Sequence, residues 1–255
     1  MSIAGLQRTG IVRVKDKRVV ITGGSKGLGR ALVLRFAAEG ARVATCARSV
    51  DELNRVMIEL SAKAADGIVL PCDISDPDQV HEFTRKVLEE FGTVDVLINN
   101  ASVLGPRIEI VEFTEQSWDR VIDVNIHGLF SVTKALLPAM IKQRSGSIIN
   151  VSSSVGKVGR ARWGAYAVSK FALEGFTQTL ADEVRHYNIR VNSVNPGPID
   201  TDMRHAAYPA EDRSQLRSPH EITDVFLYLA SEESRGVTGR YFEAQKFERT
   251  MKETP

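Results

Sequence analysis

Cysteine is nearly absent from this sequence, with only Cys46 and Cys72 among 255 residues. Each lies in or beside an apolar run, so buried thiols are expected rather than a disulfide. A metal site is disfavoured as well, because no third or fourth ligand stands at suitable spacing. An excess of charge is also missing: 33 Lys+Arg against 32 Asp+Glu leave a formal +1, whereas a nucleic-acid binder normally carries a basic surplus. No apolar run approaches the roughly 18 residues that span a bilayer, and the start of the chain has no signal-peptide h-region. These absences lead to the expectation of a cytoplasmic protein with no nucleic-acid or membrane partner. Low-complexity linkers are missing too. With 43% hydrophobic and 25% charged residues the balance is that of an ordered globular chain.

What is there is an alternation of short apolar runs with helical patterns, beginning at Lys17 after an extension over residues 1–16 that shows no clear period. The runs Val19-Val20-Ile21, Val43-Ala44, Ile68-Val69-Leu70, Val96-Leu97-Ile98 and Ile148 to Val151 read as strands, as do the segments around Val191 and Tyr241-Phe242. Between them lie helical stripes: Leu53, Val56, Met57 and Leu60; Val80, Phe83, Val87 and Phe91; Trp118 through Leu136, ending at Pro138; Leu173, Phe176, Leu180 and Val184; and Ile222, Val225, Phe226 and Leu229. Strands that are apolar throughout, separated by helices, describe a parallel sheet covered on both faces. The expected fold is a single α/β domain over residues 17–255, a doubly wound parallel sheet, with a polar surface loop at about 202–219.

The first strand runs into Thr22-Gly23-Gly24-Ser25-Lys26-Gly27-Leu28-Gly29. This is neither G-x-G-x-x-G nor a P-loop, but it has the same logic: glycines for a tight turn and close backbone approach, and a helix N-terminus facing a pyrophosphate. NAD enzymes place an acid about 20 residues further on for the ribose 2′-hydroxyl. Here the second strand ends Thr45-Cys46-Ala47-Arg48, with an arginine and no acid. With Lys26, Arg48 can neutralise a 2′-phosphate, so NADP(H) is expected in preference to NAD(H).

Further along stand Tyr166 and Lys170, four residues apart and so on one face of a helix. A phenol titrates at about 10, and a fixed cation within about 4–6 Å favours the phenolate. The pair therefore suggests an acid catalyst.

With Thr22-Gly-x-x-x-Gly-x-Gly29 and Tyr166-x-x-x-Lys170 both in place, the sequence resembles the short-chain dehydrogenase/reductase family in its single-domain, Rossmann-like form, over roughly residues 17–240. Asp73-Ile74 matches the family's adenine site, and Asn99-Asn100-Ala101 its fourth-strand motif, with Ser102 where a glycine is common. Asn125 matches in the long helix, and Asn195-Pro196-Gly197-Pro198-Ile199-x-Thr201 near the nicotinamide. The resemblance implies cofactor contacts from Gly23, Ser25, Lys26, Gly27, Leu28, Gly29, Arg48, Asp73, Ile74, Asn100, Ala101, Tyr166, Lys170, Pro196, Gly197, Ile199 and Thr201. It also implies a catalytic set. Of Ser152, Ser153 and Ser154, the family spacing of thirteen residues before the tyrosine selects Ser153 to hold the carbonyl oxygen. Tyr166 is the proton donor, Lys170 lowers its pKa and holds the nicotinamide ribose, and Asn125 anchors a water leading to solvent.

Expected pocket residues are Ser154, Arg160, Arg162, Trp163 and Arg204. Loop arginines at 107, 160, 162, 204, 213 and 217, with His205, outnumber Glu109, Asp202, Glu211 and Asp212 there. That excess suggests an anionic group on the substrate or an acidic carrier protein. The implied reaction is hydride transfer between NADP(H) and a small carbonyl or alcohol, with 3-oxoacyl-carrier-protein reduction as one form. The alternative of another class is a non-catalytic NADP(H)-binding sensor or scaffold. The family also implies a homodimer or homotetramer. The segment Gly239 to Lys246 departs from the usual apolar strand and acid-glycine-glycine turn, which bears on the tetramer and leaves untouched a dimer contact through the helices near 115–140 and 164–187.

Overall fold

The computed structural model describes residues 14–62 and 67–248. Residues 1–13 of the expected extension lie outside the described residues. Its last part packs onto the domain: Val14 is fully buried, and the Asp16 amide donates to Gly40 O at 2.9 Å.

Seven strands, β1 (Arg18–Thr22), β2 (Arg42–Ala47), β3 (Gly67–Pro71), β4 (Val96–Asn99), β5 (Gly146–Val151), β6 (Ile189–Asn195) and β7 (Tyr241–Glu243), form one sheet in the order β3-β2-β1-β4-β5-β6-β7. Every pairing is parallel. Helices α1 (Gly27–Ala38), α2 (Val50–Ser61) and α8 (Asp224–Ala230) pack on one face. Helices α3 (Pro77–Phe91), α5 (Leu129–Gln143) and α6 (Gly164–Glu183) pack on the other. Along β1, Val19 and Ile21 join Leu32, Phe36 and Phe226, while Val20 joins Phe83, Leu136 and Leu180. Side chains alternate between two dry layers, which is why the strands read as unbroken apolar runs.

Three elements differ from the sequence reading. The helical spacing places Met57 with the stripe of α2, but Leu53, Val56 and Leu60 fill the buried face and Met57 is 47% exposed. The long helix does not stop at Pro138: α4 (Glu115–Ile122) passes through a π-helical turn, Asp123–Gly128, into α5, which ends at the left-handed Arg144. An interior proline costs about 3 kcal/mol. Leu136 and Met140, both fully buried on either side of it, each return about 1.5–3 kcal/mol and outweigh that cost. Among the described residues, this 29-residue stretch is the one helix long and apolar enough to cross a membrane, a length no single run in the sequence displays. Its Val132, Leu136 and Met140 are fully buried against the sheet, the arrangement of a core helix. The segment at 202–219 is not all loop either. It contains α7 (Asp202–Ala207), capped by the Thr201 hydroxyl accepting from the Arg204 amide.

Because Phe36 sits fully buried between α1 and the sheet, Phe36→Ala is expected to lower the unfolding free energy by about 3–5 kcal/mol, measured by chemical denaturation.

Candidate active site

Strand order reverses at β1, whose neighbours β2 and β4 lead to opposite sides of the sheet. The crevice beyond the strand ends at such a point is where open α/β sheets bind ligands. Its walls are tied together by short bonds. The Thr22 hydroxyl accepts from the amides of Asn100 (3.0 Å) and Ala101 (3.1 Å), and the Asn100 side chain donates to the Thr22 and Gly23 carbonyls at 2.8 and 3.1 Å.

Above this clamp opens a cleft of about 1030 Å³. One end is the glycine turn. A Cβ at Gly23 would meet Ala101 Cα at 2.8 Å, and one at Gly29 would meet Gly23 O at 2.0 Å, so neither position admits a side chain. No side chain caps the N-terminus of α1, and its first turn holds no acid, which leaves that end electropositive and ready for an anion. Ser25, Lys26 and Arg48 stand beside it in the cleft. A glycine cradle, an uncapped helix end and two cations fit a dinucleotide, and the residues that would hold it are those named above.

All the expected cofactor-site residues line this one cleft: Gly23, Ser25, Lys26, Gly27, Leu28, Gly29, Arg48, Asp73, Ile74, Asn100, Ala101, Tyr166, Lys170, Pro196, Gly197, Ile199 and Thr201. Asp73 is fixed rather than free: its carboxylate accepts from the amide and hydroxyl of Ser75 and pairs with Arg120 at 2.9 Å.

At the other end Ser153, Ser154, Arg160, Trp163, Tyr166, Lys170 and Arg204 also line the cleft. Ser153 follows the end of β5 and caps a short 3₁₀ turn. Tyr166 and Lys170 come from the first turns of α6, and both are buried. The Lys170 ammonium lies 5.4 Å from the Tyr166 ring centre and donates to Val151 O at 2.8 Å.

The comparisons with known proteins agree with this geometry. A family model described as short chain dehydrogenase matches residues 17–212. The chain belongs to the short-chain dehydrogenase/reductase family. Among similar proteins, an uncharacterized oxidoreductase of Escherichia coli, YciK, is 36% identical over 91% of this chain and 93% of its own length. A 3-oxoacyl-[acyl-carrier-protein] reductase, FabG, of Thermotoga maritima is 41% identical over 90% of this chain and 96% of its own. Among solved structures, a short chain dehydrogenase of Escherichia coli complexed with NADPH superposes with a TM-score of 0.88 at 35% identity, covering 92% of this chain and 99% of that one. The protein is thus a short-chain oxidoreductase.

Within this short-chain dehydrogenase the charges differ from the sequence expectation in two ways. Burial pushes the Tyr166 phenol up to about 12, against the lowering effect of the Ser153 and Ser102 hydroxyls. Burial also pulls the Lys170 ammonium down to about 8, opposed by the Glu174 carboxylate. The lysine therefore does not lower the tyrosine here: its ammonium is turned to a backbone carbonyl, and removal from water favours the neutral form of both groups.

The second difference is at the mouth. Arg162 lies outside the cleft, exposed, on a left-handed backbone with φ 66°. Arg204 is held by Glu211 and stacks 3.9 Å from the Tyr208 ring. Arg213 is paired with Asp200 at 2.6 Å. Arg107 is wedged between Trp163 and Tyr208, 4.5 and 4.8 Å from their ring centres, and donates to Ala207 O. Two of the expected cations, Arg204 and Arg213, are neutralised by neighbouring acids and Arg107 is spent on aromatic rings, and the mouth is instead walled by aromatic and apolar groups: Leu104, Val155, Trp163, Ala207 and Tyr208.

Asn125 is buried behind the cleft rather than in its lining. Its side chain accepts from Val103 N and donates to Val103 O and to Ser169 Oγ, which in turn donates to Tyr166 O at 2.7 Å. It thereby fixes the first turn of α6. Four residues escaped the sequence reading as site members. Ser102, noted there only as a replacement for glycine, has its hydroxyl buried without a close hydrogen-bond partner near the Tyr166 phenol. Glu52 projects from α2 into the cofactor end, and Gln245 from the chain after β7 into the wall by Gly197. Tyr208 completes the aromatic mouth. Only Ser102 had a visible signal, its departure from the family motif.

Lys170 is normally near 10.5 and about 8 in the fold, so between those values the unfolded chain binds the extra proton and folding gains as pH rises. The stability of the protein relative to Lys170→Met is expected to increase from pH 8 to pH 10.5, by up to about 1.4 kcal/mol per unit, in urea titrations at both ends of that window.

Proposed function

We propose that the protein is an NADP(H)-dependent carbonyl reductase acting on a ketone or aldehyde whose substituent is apolar or aromatic. The observation that carries this reading is the convergence of a phenol, a serine hydroxyl and a buried ammonium at one end of a cleft whose other end is a glycine cradle flanked by Lys26 and Arg48. The relatives complexed with NADP or NADPH support the cofactor. When bound, the nicotinamide supplies the hydride.

The chain's own groups do the rest. Ser153 holds the carbonyl oxygen by a hydrogen bond, the kind of positioned donor that stabilises charge as it develops. Tyr166 gives its phenolic proton to that oxygen; with burial holding its pKa at about 12 it stays protonated at every neutral pH. Lys170, its ammonium steadied on Val151 O at 2.8 Å, would hold the nicotinamide ribose beside the phenol. Asn125, its side chain bound to both polar groups of Val103 and to Ser169, steadies the turn of α6 that carries Tyr166. Leu104, Val155, Trp163 and Tyr208 receive the substituent and exclude water.

A second reading, reduction of a 3-oxoacyl group on a carrier protein, is favoured by the Thermotoga maritima relative. A sensor or scaffold is disfavoured by the retention of Asn125, Ser153, Tyr166 and Lys170 together. A homodimer through α5 and α6 is supported by Phe130, Val168 and Phe171, each nearly half exposed on those helices, and a tetramer remains the larger alternative. Two thiols kept free and buried accord with a cytoplasmic setting.

The test is NADPH and NADH oxidation with a panel of aliphatic and aryl ketones, aldehydes and 3-oxoacyl thioesters. Aryl or alkyl ketones reduced with NADPH are expected. Tyr166→Phe should lower turnover by about 10²-fold or more while NADPH binding, followed by fluorescence, is unchanged; undiminished turnover in that variant refutes the assignment.

A further inference from the structure

The cofactor end of the cleft contains a carboxylate, Glu52, that takes no part in the proposed chemistry. Glu52 lies in the first turn of α2, whose N-cap, Ser49, accepts from the Glu52 amide at 3.4 Å. Its side chain is not turned back to the helix. It points across the cleft, where Oε2 accepts from the Ser25 hydroxyl at 2.9 Å and Oε1 lies 3.9 Å from the Lys26 ammonium. Lys26 is shared with a second acid, Asp202, also at 3.9 Å. Lys26 is the cation that, with Arg48, would receive a 2′-phosphate, and the Ser25 hydroxyl beside it in the cleft is a further donor open to that group. They already face an anion.

A phosphate and a carboxylate cannot both take these donors. Their like charges repel at this range, and the Ser25 hydroxyl has one proton to give. We propose that Glu52 is the residue that sets cofactor selectivity in this protein, competing for Ser25 and Lys26 against the 2′-phosphate and so holding the preference for NADP(H) below what Lys26 and Arg48 alone would give. This rests on the NADP(H) reading of that end of the cleft. A phosphorylated ribose must turn the Glu52 side chain outward to bind, whereas an unphosphorylated one meets the site as it stands. Asp202 acts on Lys26 only, from a more exposed position, so it weakens the lysine without blocking the serine.

The experiment measures binding by calorimetry on the full chain, with two fragments that carry no nicotinamide: adenosine 2′,5′-bisphosphate and 5′-AMP. Glu52→Gln keeps the size of the side chain and removes its charge. It is expected to tighten the bisphosphate about tenfold, the scale of 1.4 kcal/mol, with 5′-AMP moved by less than about twofold. Glu52→Ala, which also frees Ser25 outright, should tighten the bisphosphate at least as much. Unchanged or weaker bisphosphate binding in both variants overturns the proposal, and so does an equal gain for both fragments, which would mean a general change in the cleft. The wild-type protein's own ratio of the two affinities tests the NADP(H) reading separately. Stronger 5′-AMP binding there would defeat that reading while leaving the effect of Glu52 to be read from the variants.

Discussion

Everything at the reacting end of the cleft depends on burying one ammonium. Lys170 is 3% exposed, and taking a lysine out of water is costly unless hydrogen bonds and opposite charge replace its solvent. Val151 O supplies one bond at 2.8 Å. Glu174, one turn further along α6, supplies the charge. That carboxylate is itself buried, and is held in turn by the hydroxyls of Ser152 and Ser193 and by Lys157 at 2.8 Å. Two strands, one helix and the turn after β5 are thus committed to a single cation. The helix reaches that position because Gly156 lets it come close: a Cβ there would stand 2.8 Å from Lys170 O. The fold places the ammonium and the ammonium fixes how the fold must pack.

The same commitment explains the charge states. A Lys170 dragged down to about 8 and a Tyr166 pushed up to about 12 are both effects of burial, and they make the pair neutral more readily than either would be in water. The expectation that a neighbouring cation lowers the phenol rested on their spacing along one helix. That spacing holds, but the ammonium is aimed at β5, where it donates to Val151 O. Ser153 and Ser102 are the groups that oppose the rise at the phenol. A second hydroxyl at the place of a glycine is a property of this chain that the family pattern does not carry.

Legibility in the sequence followed the range of the interaction. Strands and helices were readable because each is decided by a local period, and the parallel order followed from runs apolar on both faces, as Val19, Val20 and Ile21 show. The glycine turn and the Tyr166–Lys170 pair were readable for the same reason: their geometry lies within eight residues or fewer. Contacts between distant segments were not. Glu52 is 27 residues from Ser25 and Glu174 is 22 from Ser152, and a glutamate on a helix looks alike whether it is solvated or buried. The arginines of the mouth were counted as free because composition shows charges without their partners. Glu211, seven residues from Arg204, and the rings of Trp163 and Tyr208 on either side of Arg107 could be assigned only once the chain was folded.

The two ends of the cleft are joined through backbone rather than through side chains that touch both. Thr22 and Asn100 lock the glycine turn to the end of β4, and from there Ala101, Ser102 and Val103 lead directly to Asn125. Asn125 holds both polar groups of Val103 and, through Ser169, the carbonyl of Tyr166. The π-helical turn at Asp123–Gly128 is what brings Asn125 inward at this level of the long helix. One short chain of hydrogen bonds therefore sets the distance from the phosphate cradle to the phenol. A rigid spacing of this kind suits a reaction in which the cofactor's reactive end and the proton donor must meet the same carbonyl from two sides. It also confines variation to the parts outside the chain of bonds, the cofactor end at Glu52 and the aromatic mouth at Trp163 and Tyr208, where selectivity can change without moving the chemistry.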